Sequence, residues 1–130
     1  MIEILVVDDD ALMRDLLAEW LGEAGYGVRV ADSGENALQM LLRRPAGLLI
    51  TDMDMPGTDG AQTMDQARRV APGLPIIAIS GGTREARQNW MATALKLGAA
   101  KALTTPFDRQ ELLAAVEEVA PRDQYDPVRG

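Results

Sequence analysis

The sequence predicts an α/β domain, a doubly wound five-stranded parallel sheet with helices on both faces. Three observations carry that expectation. Short apolar runs rich in β-branched residues alternate five times with stretches whose apolar residues recur at helical spacing. Glycine or proline stands at the junctions, as in Gly25, Pro45-Ala46-Gly47, Pro72-Gly73 and Gly81-Gly82. The chain has 130 residues, which fits one domain, and 47% of them are hydrophobic, enough for a real core.

Each element has its own signal. Ile2–Val7 is an apolar run interrupted by Glu3 alone and stopped by Asp8-Asp9-Asp10, the pattern of a buried strand. Met13, Leu16, Leu17, Trp20, Leu21 and Ala24 then recur at helical spacing, and Gly25 closes that helix because it can take a positive φ. Tyr26–Ala31 is the second strand. Ser33 is placed to cap a helix running to about Arg43. Leu48–Thr51 is the third strand, ending at Asp52, and Met55–Gly60 is a loop with one proline and two glycines. Ala61–Val70 is a helix and Pro75–Ser80 the fourth strand. Thr83 is placed to cap a helix through Leu97 that Gly98 ends. Trp90, Ala94 and Leu97 share the face expected to pack on the sheet; Met91 and Leu95 lie on its flank, as partly buried packing or as a partner surface. Lys101–Thr104 is a short fifth strand. Asp108 caps a last helix whose apolar face is Leu112, Leu113, Val116 and Val119. Residues 1–120 are therefore expected to form the domain. Residues 121–130 are polar and without period, a frayed terminus or the start of a linker.

Composition narrows the chemistry. There is no Cys and no His, which removes disulfides, thiolate metal sites, imidazole bases and a phosphohistidine. Twenty acidic against 13 basic side chains give a net charge of -7, which argues against nonspecific nucleic-acid binding and against docking on an anionic membrane. No apolar run reaches the ~20 residues of a membrane span. Met1–Leu5 has neither a basic leader nor a long apolar stretch, so no signal peptide is expected and a cytoplasmic location is the default.

The carboxylates fall in a pattern. Asp8 and Asp9 follow the first strand, Asp52 ends the third, and Asp54 stands two residues on. In an open parallel sheet, ligands bind beyond the carboxyl ends of the strands where strand order reverses. The order 2-1-3-4-5 sets strands one and three side by side there, so Asp8, Asp9 and Asp52 would converge. Like charges that close repel unless a cation offsets them, and a hard divalent ion such as Mg²⁺, with oxygen ligands, fits. Ser80, at the end of the fourth strand, puts a hydroxyl on the same edge, as a turn residue or as a donor to a phosphoryl oxygen.

On Val7-Asp8-Asp9, Thr51-Asp52-Met53-Asp54-Met55-Pro56-Gly57-Thr58-Asp59-Gly60, Ile79-Ser80-Gly81, Gly98-Ala99 and Thr105-Pro106-Phe107, the chain resembles the receiver (CheY-like) domain of two-component response regulators over about residues 2–120. The resemblance implies a flavodoxin-like (βα)5 fold with order 2-1-3-4-5. It makes Asp52 the phosphoacceptor, with Mg²⁺ held by Asp9 and Asp52 directly, by Asp8 through water and by the backbone carbonyl of Asp54. Ser80 becomes the switch hydroxyl. It also implies a signalling domain rather than an enzyme, limited to self-catalysed phosphotransfer and autodephosphorylation. The donor would be a histidine kinase, a histidine phosphotransfer protein or a small phosphodonor, and the output phosphorylation-dependent binding of a downstream protein, with the domain a monomer or weak homodimer. Too few residues follow Val119 for a helix-turn-helix, so output through another protein is expected unless the chain is a fragment of a longer one.

Two positions depart from the family pattern. Thr105 stands where the family has Lys, and Ala102 where it usually has an aromatic switch residue. Lys101 is four residues earlier, about 13 Å back along an extended strand, and is expected at the surface. Arg84 is either a substitute cation or a solvated helix-start residue. These departures motivate a second reading, a degenerate receiver that binds its partner without phosphorylation. A third, a haloacid-dehalogenase-like phosphatase on Asp52-Met53-Asp54, fails on Pro56, where that family wants Thr or Val.

Overall fold

The computed structural model describes residues 2–53, 60–81 and 91–119. Five parallel strands, β1 (Glu3–Val7), β2 (Gly27–Ala31), β3 (Leu48–Asp52), β4 (Ile76–Ser80) and β5 (Lys101–Thr104), form one sheet in the order β2-β1-β3-β4-β5. The helices are α1 (Ala11–Glu23), α2 (Gly34–Arg43), α3 (Gly60–Val70), a helical stretch over residues 91–96 (α4) and α5 (Arg109–Val119). The expected architecture and strand order are those observed. Thr83 and Trp90 lie outside the described residues.

The pleat sorts the strand residues into two cores. Ile4, Val6, Leu48, Ile50, Ile77 and Ile79 pack against Leu17 and Leu21 of α1 and Leu112, Ala115 and Val116 of α5. Leu5, Val7, Leu49, Ile76 and Ala78 face the other way, against Ala37 and Leu41 of α2, Met64 and Ala67 of α3, and Ala94 of α4. Burial on both faces explains why these strands are continuous apolar runs instead of alternating ones. Glu3 interrupts its run because it sits at the amino-terminal rim of the sheet. There it forms an ion pair with Arg29, Nε to Oε1 at 3.0 Å, and accepts Arg44 Nη2 at 2.8 Å.

Helix ends follow local chemistry. Ser33 Oγ accepts the Asn36 N–H at 3.1 Å and caps α2. Asp108 and Glu111 form a reciprocal capping box on α5, at 2.8 and 3.0 Å. Gly25 (φ 100°) and Gly98 (φ 108°) end α1 and α4 in the left-handed conformation. In the first turnoff Tyr26 N–H bonds back to Leu21 O at 3.1 Å, so Tyr26 closes a helix and β2 begins one residue later than the sequence suggests. Likewise β4 begins at Ile76, since Pro75 has no N–H to give the ladder.

One packing expectation is corrected. Ala94 is buried, but Leu97 is 38% exposed and does not share its sheet-facing surface. The helix has already ended at residue 96, and the turn at Gly98 carries Leu97 outward. Met91 packs partly buried against the core, whereas Leu95 is exposed.

Candidate functional site

Parallel strands all end at one edge, and the register fixes which ends meet. Val7 pairs with Thr51 on β3, Asp52 with Ile79 on β4, and Ser80 with Thr104 on β5. Residues just past these pairs therefore converge. Asp8, Asp9, Asp10 and Met13 form one wall of a cavity of about 430 Å³; Asp52 and Ile79 lie at its floor, and Ser80, Gly81 and Thr105 close the other side. Carboxylate oxygens of Asp8, Asp9 and Asp52 all lie within 4.8 Å of one another. The strand-order switch point between β1 and β3 is thus where the acids gather.

The loop after β1 is built to present them. The Asp8 carboxylate accepts the Asp10 N–H at 2.9 Å, and its backbone carbonyl accepts Arg14 Nη1 at 2.8 Å. Asp8 N–H in turn donates to Ala31 O at 3.1 Å. Asp10 Oδ1 accepts the Leu12 N–H at 3.0 Å, making Asp10 the N-cap of α1. Asp8 is 96% buried in effect, with 4% of its surface exposed. Burial pushes its carboxyl above the ordinary value of 3.8, and the neighbouring charges of Asp9 and Asp10 push the same way. The Asp10 N–H bond and a side-chain hydrogen bond with Asp52 oppose the rise.

Such a site favours a cation. The donor set is three carboxylates with no nitrogen or sulfur ligand, which suits a hard, oxygen-liking divalent ion such as Mg²⁺. The acidic pocket therefore fits the metal that the sequence implies. A second cavity of about 380 Å³ near α2 is lined by Arg14, Asp32 and Arg43 among others and lacks paired carboxylates.

Asp8, Asp9, Asp52, Ser80 and Thr105 are brought together as the sequence suggested. Asp54 and Arg84 lie outside the described residues. Ser80 is buried, and its Oγ donates to the Gly81 carbonyl over a long 3.4 Å. Thr105 donates its N–H to Ser80 O at 2.8 Å and precedes Pro106 across a cis bond. Lys101 is held at the surface by Glu118 Oε1, 2.6 Å from its Nζ. Ala102 is buried against Ala78 and the α4 side of the core, with no aromatic ring at its position. Sequence reasoning missed three contributors. Met13, read only as part of the apolar period of α1, also walls the cavity, Arg14 reaches back to the Asp8 carbonyl, and Asp10 caps a helix. Only the last had a local signal, an Asp directly before an apolar-periodic stretch.

Among the described residues no helix is long and apolar enough to cross a membrane. Residues 4–117 match the family model of the response regulator receiver domain. The transcriptional regulatory protein GltR of Pseudomonas aeruginosa is 36% identical over 130 residues, covering 98% of this chain but 52% of the relative. The chain thus spans about half the length of that regulator. A 14.6 kDa protein of Leptolyngbya boryana is 39% identical over 118 residues, covering 89% of this chain and 88% of its own. The receiver domain of NtrX from Brucella abortus superposes with a TM-score of 0.82 at 31% identity, over 88% of this chain and 95% of that one. Chemotaxis protein CheY4 of Vibrio cholerae gives 0.80 at 28% identity, over 92% and 98%. With sequence, fold and an acidic pocket at the switch point all in agreement, the chain belongs to the response regulator receiver domain family, the phosphoacceptor module of two-component signalling.

Proposed function

We propose that Asp52 is the phosphoacceptor of this receiver and that Asp8 and Asp9 complete its metal site. The observation that carries the reading is the convergence of three carboxylates within 4.8 Å beside the Ser80 hydroxyl. Asp9 and Asp52 would hold Mg²⁺ directly and Asp8 through water, with the Asp54 carbonyl as a further ligand. When bound, Mg²⁺ supplies positive charge against the phosphoryl oxygens. An Asp52 carboxylate oxygen attacks the phosphorus of a phosphohistidine. The new O–P bond forms as the P–N bond breaks, and the imidazole leaves with the electron pair and takes up a proton. The chain's part is to hold Asp52 in line and to offer the Ser80 hydroxyl as a hydrogen-bond donor to the transferred group. Water hydrolysing the acyl phosphate returns Asp52 to the carboxylate, which is autodephosphorylation.

The donor is a histidine kinase or histidine phosphotransfer protein; none of these 130 residues is a His that could carry the phosphoryl group. Output is binding of a downstream protein, with residues 1–120 as the receiver unit and 121–130 as its tail or the start of a linker. Incubation with acetyl phosphate and Mg²⁺ tests the assignment. One phosphate should be added to the wild-type chain and none to Asp52→Asn. No uptake from acetyl phosphate or from a kinase would reject it.

A second reading is favoured by Thr105 and Ala102, which leave the pocket without a described lysine and β5 without a ring. In that reading the chain is a binding module indifferent to phosphate. Partner capture that is unchanged by Asp52→Asn and by chelation would support it.

A further inference from the structure

The wall at Thr105 sets how charge is balanced in the pocket. Four carboxylates, those of Asp8, Asp9, Asp10 and Asp52, line it, and among the described residues no Lys or Arg does. Two described cations close in sequence to the pocket are committed elsewhere. Arg14 donates to the Asp8 carbonyl and lines the neighbouring cavity, and Lys101 is paired with Glu118. Thr105 Oγ1 fills the wall over Gly81, close enough that a Cβ added there would meet it at 2.7 Å. A hydroxyl can donate a hydrogen bond, but it offsets no net charge. An acyl phosphate on Asp52 carries roughly two negative charges where the carboxylate carried one, so the pocket gains roughly one more at neutral pH.

We propose that Thr105, by leaving the described residues of this pocket without a cation, couples the phosphoryl group and the divalent cation more tightly than a lysine-bearing pocket would. Each raises the affinity for the other, and by thermodynamic reciprocity the factor is the same in both directions. The divalent cation and the phosphoryl group then act as linked inputs to one pocket. This rests on Asp52 being the phosphoacceptor.

The test is Mg²⁺ affinity of the full chain by isothermal titration calorimetry, with and without beryllium trifluoride as the phosphoryl stand-in. In the wild type, beryllium trifluoride should tighten Mg²⁺ binding well over tenfold. Thr105→Lys should weaken binding of Mg²⁺ alone about tenfold, by like-charge repulsion across a few ångströms, and should shrink the tightening several-fold. Met13→Lys brings the same charge from the opposite wall and should act in the same direction, so a fold defect in either variant does not decide the outcome. Thr105→Val should bind Mg²⁺ like the wild type, and Arg84→Gln should not tighten it. Equal Mg²⁺ affinity and equal coupling in wild type, Thr105→Lys and Met13→Lys would overturn the proposal. So would a tenfold loss in Thr105→Val, or tighter binding in Arg84→Gln, which would reveal a cation supplied from residue 84. No beryllium trifluoride response in any variant removes the phosphoacceptor reading itself, whereas a response that is equal in wild type and Thr105→Lys removes only the coupling.

Discussion

Thr105 donates its backbone N–H to the carbonyl of Ser80 at 2.8 Å, one step beyond the Ser80–Thr104 pair that ends the β4–β5 ladder. That bond carries strand pairing into the wall of the pocket and brings the Thr105 hydroxyl over Gly81. A methyl group at Gly81 would stand 2.7 Å from Thr105 Oγ1, inside van der Waals contact. The obstacle is a side-chain atom that can rotate, so Gly81→Ala should cost about 1 kcal/mol, at the low end of overpacking. Thr105→Ala in the same chain should remove most of that cost. A double-mutant cycle in urea measures the coupling, and strictly additive penalties would show that the contact carries no energy.

Asp8 makes a pH prediction for the protein in chelator. Its carboxyl titrates above 3.8 in the fold, chiefly because burial disfavours the charged form. The folded state therefore binds the proton more tightly than the unfolded chain, and ionising Asp8 subtracts stability. The subtraction is absent below 3.8, grows as pH rises through the raised value, and is complete above it. Asp8→Asn should accordingly raise Tm at pH 7, with a gain that shrinks toward pH 4. Mg²⁺ should narrow the gap, since the wild type gains more from the ion than the variant does. A Tm difference that is flat between pH 4 and pH 7 in chelator would contradict the sign.

How much of this was legible in the residues depends on sequence distance. The caps at Ser33 and Asp108 bond to groups three positions away, so a window of a few residues suffices to see them. Asp8, Asp9 and Asp52 were legible for a different reason. Parallel strands end at one edge, and once strand order is assumed the ends of β1 and β3 must be neighbours. Glu3 was opaque, because its partners Arg29 and Arg44 are brought to it only by sheet register and the end of α2. Arg14 was opaque as well: side-chain direction, not spacing, sends it back to the Asp8 carbonyl. Leu97 obeyed helical periodicity on paper but lies past the last helical turn, where the period no longer sets its direction.

The two-faced core gives a contrast between leucines of one residue type. Leu112 on α5 is fully buried against α1 and the strands, whereas Leu12 on α1 is 80% exposed. Leu112→Ala should cost about 2–5 kcal/mol through lost burial and a residual cavity. Leu12→Ala should fall within about 0.5 kcal/mol of the wild type, as surface changes do. Urea denaturation with fixed m-value reads both. Comparable losses at the two sites would mean that the exposed face of α1 is covered in solution.

Asp10 allows charge and capping to be separated at the pocket rim. Its side chain caps α1 through the Leu12 N–H, and its charge lines the pocket beside Asp8. Asn caps a helix about as well as Asp, so Asp10→Asn removes the charge and keeps the cap. Asp10→Ala removes both and should cost about 1 kcal/mol for the lost cap. If the charge repels Asp8 as the geometry requires, Asp10→Asn should match or exceed the wild type in stability at pH 7 and low salt. Added salt should erase that advantage by screening while leaving the alanine penalty in place. Equal losses in Asp10→Asn and Asp10→Ala, independent of salt, would assign Asp10 a role that neither capping nor charge explains.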